Sequence, residues 1–205
     1  MGKPKGKGKK VPNNSDKILL IVENSEELFF QQYFNYFIEK NHAVKVVVKS
    51  SGSGNKCDIT NFTKISKKIE NFLQKDNYKA VFLMIDLESK CFTNESNHHC
   101  LVKLKQEYLP KYRIEKSLKN KFYLFVVCNA IESWFLTIDK SKRHTNKPKK
   151  NHKKEMMNHF KVKSEPQIVQ RMIQELKQGK VELDFSKNKS LEHFIKKLKE
   201  FNENL

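Results

Sequence analysis

The chain has 205 residues, of which 41 are Lys or Arg and 23 are Asp or Glu, so its formal net charge is +18. Hydrophobic residues make up 38% and aromatic residues 11%, which argues against a wholly disordered chain. No apolar run approaches the roughly 18 residues that cross a bilayer. We therefore expect a folded, basic protein without a membrane segment. Its four cysteines are unevenly spaced and form no CxxC pair, which argues against a disulfide scaffold and favours a cytoplasmic location. The charge favours polyanionic partners, although composition alone does not separate DNA from RNA.

Alternating apolar runs and helical patterns follow a basic start. Residues 1–16 carry five Lys among Gly, Pro and Asn, which predicts a disordered tail. Residues 17–205 are expected to form a single α/β domain. Continuous β-favouring runs predict four strands, at 17–22, 43–49, 79–85 and 121–127. Helical spacing of apolar residues predicts helices at 25–40, 61–74, 101–108, 131–138, 165–177 and 190–201.

Strands that read as unbroken apolar runs and alternate with helices are typical of a parallel sheet covered on both faces. The second strand alternates Lys with Val, which favours an edge position, and the other three strands are predicted to be central. A basic excursion spans 140–163, where ten Lys or Arg accompany one Glu. The segment 164–205 is expected to supply C-terminal helices.

Polar residues follow three of the predicted strands: Glu23 and Glu27 after the first, Asp86 and Glu88 after the third, and Asn129 and Glu132 after the fourth. The carboxyl ends of parallel strands meet at one edge of a sheet, and ligands bind there. Converging carboxylates repel one another unless a hard divalent cation takes their oxygens as ligands. The pattern therefore predicts a Mg²⁺ or Mn²⁺ site.

An acidic site on a very basic protein suits the hydrolysis of nucleic-acid phosphodiesters. Asp86 and Glu88 would be metal ligands, Glu23 a ligand or general base, and Glu132 a ligand or a residue that orients water. Glu27 and Asn129 would contact these ligands without binding the metal themselves. The nucleic acid would be held by five cations of the basic excursion: Lys140, Lys142, Arg143, Lys149 and Lys150.

Three segments resemble one family. They read ILLIVENSEELFFQQYF, VFLMIDLES and FVVCNAIESWFL, and in this order they resemble Toprim-type proteins, in particular the RloB-like and related small proteins of prokaryotic defence loci. The resemblance implies a Toprim-like sheet and maps the family's acids onto Glu23, Glu27, Asp86, Glu88 and Glu132. It also implies a metal-dependent nuclease, with RNA as a plausible substrate, antiviral defence as the setting and a defence-system protein as a partner.

Two departures from the family pattern leave an alternative open. Asn24 stands where the family usually has Gly, and Glu88 stands where the second acid is often Asp. Both substitutions would alter how closely a phosphate or a metal approaches the site. The alternative is a catalytically inactive protein of the same fold that serves as a nucleic-acid-binding module or an adaptor in a defence complex.

Other chemistry-bearing residues support weaker hypotheses. Four residues suggest zinc, namely Cys91, His98, His99 and Cys100, but adjacent ligands rarely serve one tetrahedral site, so a surface loop is favoured. One of the two histidines could instead carry protons beside the acids. Trp134 is predicted to lie in the core. The sequence contains no phosphate-binding loop, no dinucleotide fingerprint and no serine-hydrolase elbow.

Overall fold

The computed structural model describes residues 13–23, 26–41, 45–51, 61–86, 101–127, 130–141, 145 and 151–203. Within these ranges the strands are β1 (Lys17–Val22), β2 (Lys45–Ser50), β3 (Ala80–Asp86) and β4 (Phe122–Val127). The helices are α1 (Glu27–Asn41), α2 (Phe62–Gln74), α3 (Leu101–Tyr108), α4 (Glu132–Phe135), α5 (His152–Phe160), α6 (Glu165–Lys177) and α7 (Lys189–Glu203). None of the described helices is long and apolar enough to cross a membrane.

The strands form one parallel sheet in the order β2-β1-β3-β4. Ile21 of β1 pairs with Leu83 of β3, and Asp86 of β3 pairs with Val127 of β4. The carboxyl ends of these three strands therefore meet at one edge of the sheet.

Side chains of the strands alternate between two apolar layers. Leu20, Phe82 and Phe125 pack with α1, α6 and α7 on one face. On the opposite face, Leu19 and Leu83 belong to a layer that includes residues of α2 and α3. Because both faces are covered, apolar side chains are favoured at consecutive strand positions, which explains the unbroken hydrophobic runs.

The helices that cover the sheet show regular apolar spacing. In α2 the buried residues Ile65, Ile69 and Leu73 recur every four positions, so they form one stripe along the helix. The Asn61 side chain begins this helix by accepting a hydrogen bond from the Lys64 backbone N–H at 3.2 Å. The same four-residue spacing of buried residues occurs in α6.

The predicted α/β class is confirmed: a parallel sheet of four strands is flanked by helices and followed by C-terminal helices. The edge position predicted for β2 is also correct. The prediction that β4 is central is wrong, since β4 forms the opposite edge of the described sheet. Helices α3 and α7 both contact β4, and this cover explains why an edge strand is so apolar.

Parts of the predicted N-terminal tail and of the basic excursion belong to the folded structure. Asn14, placed in the tail by its sequence, is buried and donates a hydrogen bond from its side chain to the Asp76 carbonyl at 3.0 Å. The fold therefore extends upstream of the predicted boundary at residue 17. The basic excursion contains α5, whose Met156 is buried in the same layer as α1 and α6.

A buried polar network fixes α4, the helix that begins at Glu132. The Asn188 side-chain amide donates hydrogen bonds to the hydroxyls of Ser133 (3.2 Å) and Thr145 (3.1 Å). The Trp134 indole N–H donates to the Ser190 hydroxyl at 2.8 Å. Trp134 is 2% exposed, so its predicted core position is confirmed. The network joins α4 to the start of α7 and thereby sets the position of Glu132.

Candidate functional site

Three carboxylates lie where the carboxyl ends of β1, β3 and β4 meet. Glu23 follows β1 directly, Asp86 ends β3, and Glu132 begins α4 just after β4. Glu132 is buried, and the other two residues are half-buried. Asp86 is close enough to both glutamates to feel their charges. The structure thus brings together three of the acids that the sequence singled out.

A tight turn adds a fourth carboxylate, Glu26. The Glu26 backbone N–H donates to the Glu23 carbonyl at 3.0 Å, so the chain turns back immediately after β1. The Glu26 side chain is 4% exposed and hydrogen-bonds to Asp86. A hydrogen bond between two carboxyl groups requires a proton on one of them. We call Glu23, Glu26, Asp86 and Glu132 the acid cluster.

Burial raises the pKa of both members of the hydrogen-bonded pair. The pKa of Asp86 lies well above its ordinary value because of burial first, followed by the negative charges of Glu26 and Glu23. Burial is also the largest cause of the raised pKa of Glu26, which the charges of Glu23 and Glu132 raise further. Carboxylates that share a site and are poorly hydrated disfavour one another's ionisation. A cation in the cluster would reverse this effect.

One oxygen of Asp86 marks where a ligand would bind. Its Oδ1 atom is buried and accepts no hydrogen bond from any residue that the structure describes. Unpaired buried acceptors cost free energy, and they call for an explanation such as a bound ion or water. Single oxygens of Glu23 and Glu132 share this property, although both glutamates make other contacts.

The donor chemistry fits a hard divalent ion, because Mg²⁺ and Mn²⁺ prefer carboxylate oxygens. Within the described ranges, however, no group of three or more His, Cys, Asp or Glu side chains has the arrangement of a metal site. The hydrogen bond between Asp86 and Glu26 directs their oxygens toward each other. Metal binding would therefore displace the shared proton and reorient these side chains.

A lysine borders the acid cluster. Lys153 lies in the first turn of α5, which contacts both α4 and α6. Its Nζ is 3.0 Å from Oε1 of Glu165, the first residue of α6. Burial works against the Lys153 charge, but the bond to Glu165 and the charges of Glu132 and Asp86 leave its pKa raised. The half-buried Lys153 ammonium group therefore pairs with Glu165 and is also attracted by the acid cluster.

Two other predicted residues lie apart from these contacts. The Glu27 carboxylate accepts a hydrogen bond from Gln31 at 3.0 Å, one helical turn along α1. It is Glu26, not Glu27, that touches Asp86. Lys140 is exposed just after α4. The supporting role of Glu27 and the nucleic-acid contact of Lys140 stay predictions.

Several predicted site residues lie outside the described residues. They are Asn24, Glu88, Asn129, Lys142, Arg143, Lys149 and Lys150. The Cys and His residues considered for zinc lie there too: Cys91, His98, His99 and Cys100. Their assigned roles stay predictions.

Sequence reasoning missed Glu26 and Lys153. A signal for Glu26 was present, since the turn-forming residues Asn24 and Ser25 separate it from Glu23 and favour a reversal that returns the fourth residue to the strand end. No comparable signal marked Lys153, one of ten cations in its segment. Its position depends on how α5 packs against α4 and α6.

Comparison with protein-family models, with curated proteins and with solved structures finds no match to this chain. Function must therefore be argued from the geometry of the acid cluster and from the chemistry of its residues.

Proposed function

We propose that this protein is a metal-dependent nuclease that hydrolyses nucleic-acid phosphodiester bonds. The observation that carries the proposal is the Asp86 side chain, which hydrogen-bonds to Glu26 among further carboxylates and keeps one buried oxygen that no described residue hydrogen-bonds. A site built in this way is stabilised by a cation.

Asp86, Glu23 and Glu132 would hold Mg²⁺ or Mn²⁺, with Glu88 as a further predicted ligand. When bound, the ion supplies positive charge that polarises a phosphoryl oxygen and activates water. Glu26 would keep Asp86 oriented and accept or release the proton that they share. Lys153 would exchange its ion pair with Glu165 for one with a phosphate oxygen of the substrate. Both partners are anionic oxygens, and the flexible lysine side chain allows the change.

The charge of the whole chain supports a polyanionic substrate. A surplus of 18 positive charges attracts nucleic acid over distances of about a Debye length, roughly 8–10 Å at moderate salt. The resemblance to RloB-like proteins adds RNA as the substrate and prokaryotic antiviral defence as the setting. It also supplies the alternative, an inactive binding or adaptor protein in a defence complex.

The test compares wild-type protein with Asp86→Asn, using RNA and single-stranded DNA substrates with Mg²⁺ or Mn²⁺. Asn preserves the shape of the side chain and can donate a hydrogen bond to Glu26, but it removes the ligand charge. We expect metal-dependent cleavage by the wild type and a loss of about a thousandfold in the variant. Glu192→Gln, an exposed change on α7, should cleave like the wild type.

The outcomes separate the two functions. Equal cleavage by wild type and Asp86→Asn would contradict the proposed site. Nucleic-acid binding by the wild type without any cleavage in either metal would support the adaptor alternative instead.

A further inference from the structure

A group of basic side chains lies beside β4 and shares no residue with the acid cluster. Lys105 of α3 and the α7 residues His193 and Lys197 surround the aromatic side chains of this strand. The Lys105 Nζ lies 5.9 Å from the centre of the Phe125 ring, and the Lys197 Nζ lies 4.7 Å from the centre of the Tyr123 ring. We call Lys105, His193 and Lys197 the edge cluster.

The two α7 residues of the edge cluster, His193 and Lys197, lie on one face of the helix. His193, Lys196, Lys197 and Glu200 follow the i, i+3, i+4, i+7 spacing, so they are neighbours on the helix surface. The His193 ring centre is 5.6 Å from that of Phe125, which places it over the same part of β4 as Lys105. Two lysines and a histidine from two helices thus converge on one patch beside β4.

Among the residues that the structure describes, the edge cluster has too little negative charge to balance it. Glu200 bonds to Lys197 at 2.6 Å and is the acid that acts on this patch within the described ranges. Lys105 is half-buried, and the described residues give it no ion pair or hydrogen bond. By contrast, the half-buried Lys111 and Lys187 each have a carboxylate within 4 Å, at 3.4 Å and 3.6 Å.

Neighbouring positive charges contribute to lowered pKa values of Lys105 and His193. Burial, followed by the charge of Lys197, lowers the pKa of Lys105. Burial, followed by the charges of Lys105 and Lys197, also lowers the pKa of His193. An anion between them would offset both effects.

We propose that the edge cluster binds a phosphate group, either that of a free phosphate anion or one in a nucleic-acid backbone. Lys105 and Lys197 would donate hydrogen bonds to its oxygens, and His193 would add a third donor. Phe125 is 3% exposed and Tyr123 is half-buried. The Phe125 ring is therefore not available to stack a base, and the Lys197 ammonium lies over the Tyr123 ring.

The experiment measures binding of pyrophosphate and of a short single-stranded oligonucleotide by calorimetry at low salt, without divalent metal. We expect Lys105→Met to weaken pyrophosphate binding by about tenfold, because one charged hydrogen bond is lost. Lys199→Gln, exposed on another face of α7, should bind as the wild type does. His193→Glu introduces a negative charge on the helix surface and should abolish binding, and this variant does not depend on tolerance of a substitution at the half-buried Lys105.

The two probes identify the source of the phosphate. A parallel loss for the oligonucleotide in Lys105→Met, with a salt slope reduced by about one, means that the cluster holds a nucleic-acid backbone. A loss confined to pyrophosphate means that it holds a free anion. Wild-type affinities for both probes in Lys105→Met and His193→Glu would overturn the proposal, as would a wild type that binds neither probe.

The melting temperature of Lys105→Met distinguishes a structural role of Lys105 from the proposed phosphate binding. If Lys105 mainly stabilises the fold, Lys105→Met lowers the melting temperature. The proposal predicts an unchanged or higher melting temperature without ligand, because Met keeps contact with Phe125 and removes the repulsion.

Discussion

Two polar regions of this molecule, the network around Asn188 and the acid cluster, differ in how completely their hydrogen bonds are satisfied. Asn188 donates to the hydroxyls of Ser133 and Thr145, and its carbonyl accepts from the Ser190 hydroxyl at 2.7 Å and from the Leu191 backbone N–H. In the acid cluster, by contrast, Asp86 is close to three other carboxyl groups and has an oxygen that accepts no hydrogen bond from the described part of the chain.

The difference separates stability from function. Fully satisfied buried polar groups stabilise and orient a fold, whereas a crowded group of like charges opposes it. A crowded group of like charges can be retained in evolution where a ligand of opposite charge stabilises it. Substitutions in the two regions should therefore change stability in opposite directions.

The largest expected effect lies in turnover at the acid cluster. Lys153→Gln should slow the proposed cleavage by about a hundredfold, because a charge that stabilises the reacting phosphate is lost. The neighbouring Lys154→Gln is the matched control, since Lys154 is exposed. Single-turnover cleavage assays measure both variants, and equal rates would remove Lys153 from the mechanism.

In the polar network, Asn188→Ala should lower the free energy of unfolding by about 2–3 kcal/mol. The substitution removes the amide that donates to the Ser133 hydroxyl and the side-chain carbonyl that accepts from the Ser190 hydroxyl and from the Leu191 backbone N–H at the start of α7. Urea denaturation measures the effect, with the exposed Lys189→Ala as control. A change below about 0.5 kcal/mol would show that the network does not hold α4 in place.

The acid cluster should make the metal-free protein less stable as the pH rises. Because burial raises the pKa values of Asp86 and Glu26, the folded state keeps a proton that the unfolded state releases. The stabilising contribution is complete below the ordinary carboxyl pKa and is lost as the pH rises through the raised values. We expect a loss of about 1–2 kcal/mol between about pH 5 and pH 8.

Denaturation in the presence of a chelator tests this slope. Asp86→Asn provides the comparison, since it removes one of the two coupled groups, and its stability should fall less over the same range. Identical slopes in wild type and variant would mean that the pair does not titrate as the structure implies.

The smallest effect is expected for Glu26→Gln. The Gln amide can donate to Asp86 without a bound proton, so the metal-free protein should gain about 1 kcal/mol at neutral pH. Glu27→Gln changes the adjacent position, whose carboxylate pairs with Gln31 at 3.0 Å, and should shift stability by less than about 0.5 kcal/mol. Thermal unfolding distinguishes the two, and a destabilised Glu26→Gln would contradict the account of repulsion.

The sequence predicted those features that follow from local pattern. Continuous apolar runs predicted four strands, and parallel crossovers then placed Glu23, Asp86 and Glu132 at one sheet edge. Glu26 was missed because helical spacing from the strand end favoured Glu27, whereas a turn after Glu23 returns the chain one residue earlier. The prediction of a central β4 failed because, in the described part of the chain, helices α3 and α7 pack against β4 and no fifth strand pairs with it.

Long-range packing accounts for the rest. Lys153 and the edge cluster belong to helices whose approach to the sheet depends on buried residues such as Met156 and Phe194. A charge pattern alone gives a basic surface. It does not say which ammonium group lies beside an acid and which lies beside another cation.

Calorimetric titration of Mn²⁺ into the wild type and Asp86→Asn, in buffers of different ionisation enthalpy, tests the central claim most directly. We predict that the wild type binds the ion and releases protons as it binds, because the cation displaces the proton shared by Asp86 and Glu26, and that the variant binds far more weakly. Wild-type protein that binds no Mn²⁺, or binds it as Asp86→Asn does and without proton release, would contradict a metal site at this sheet edge.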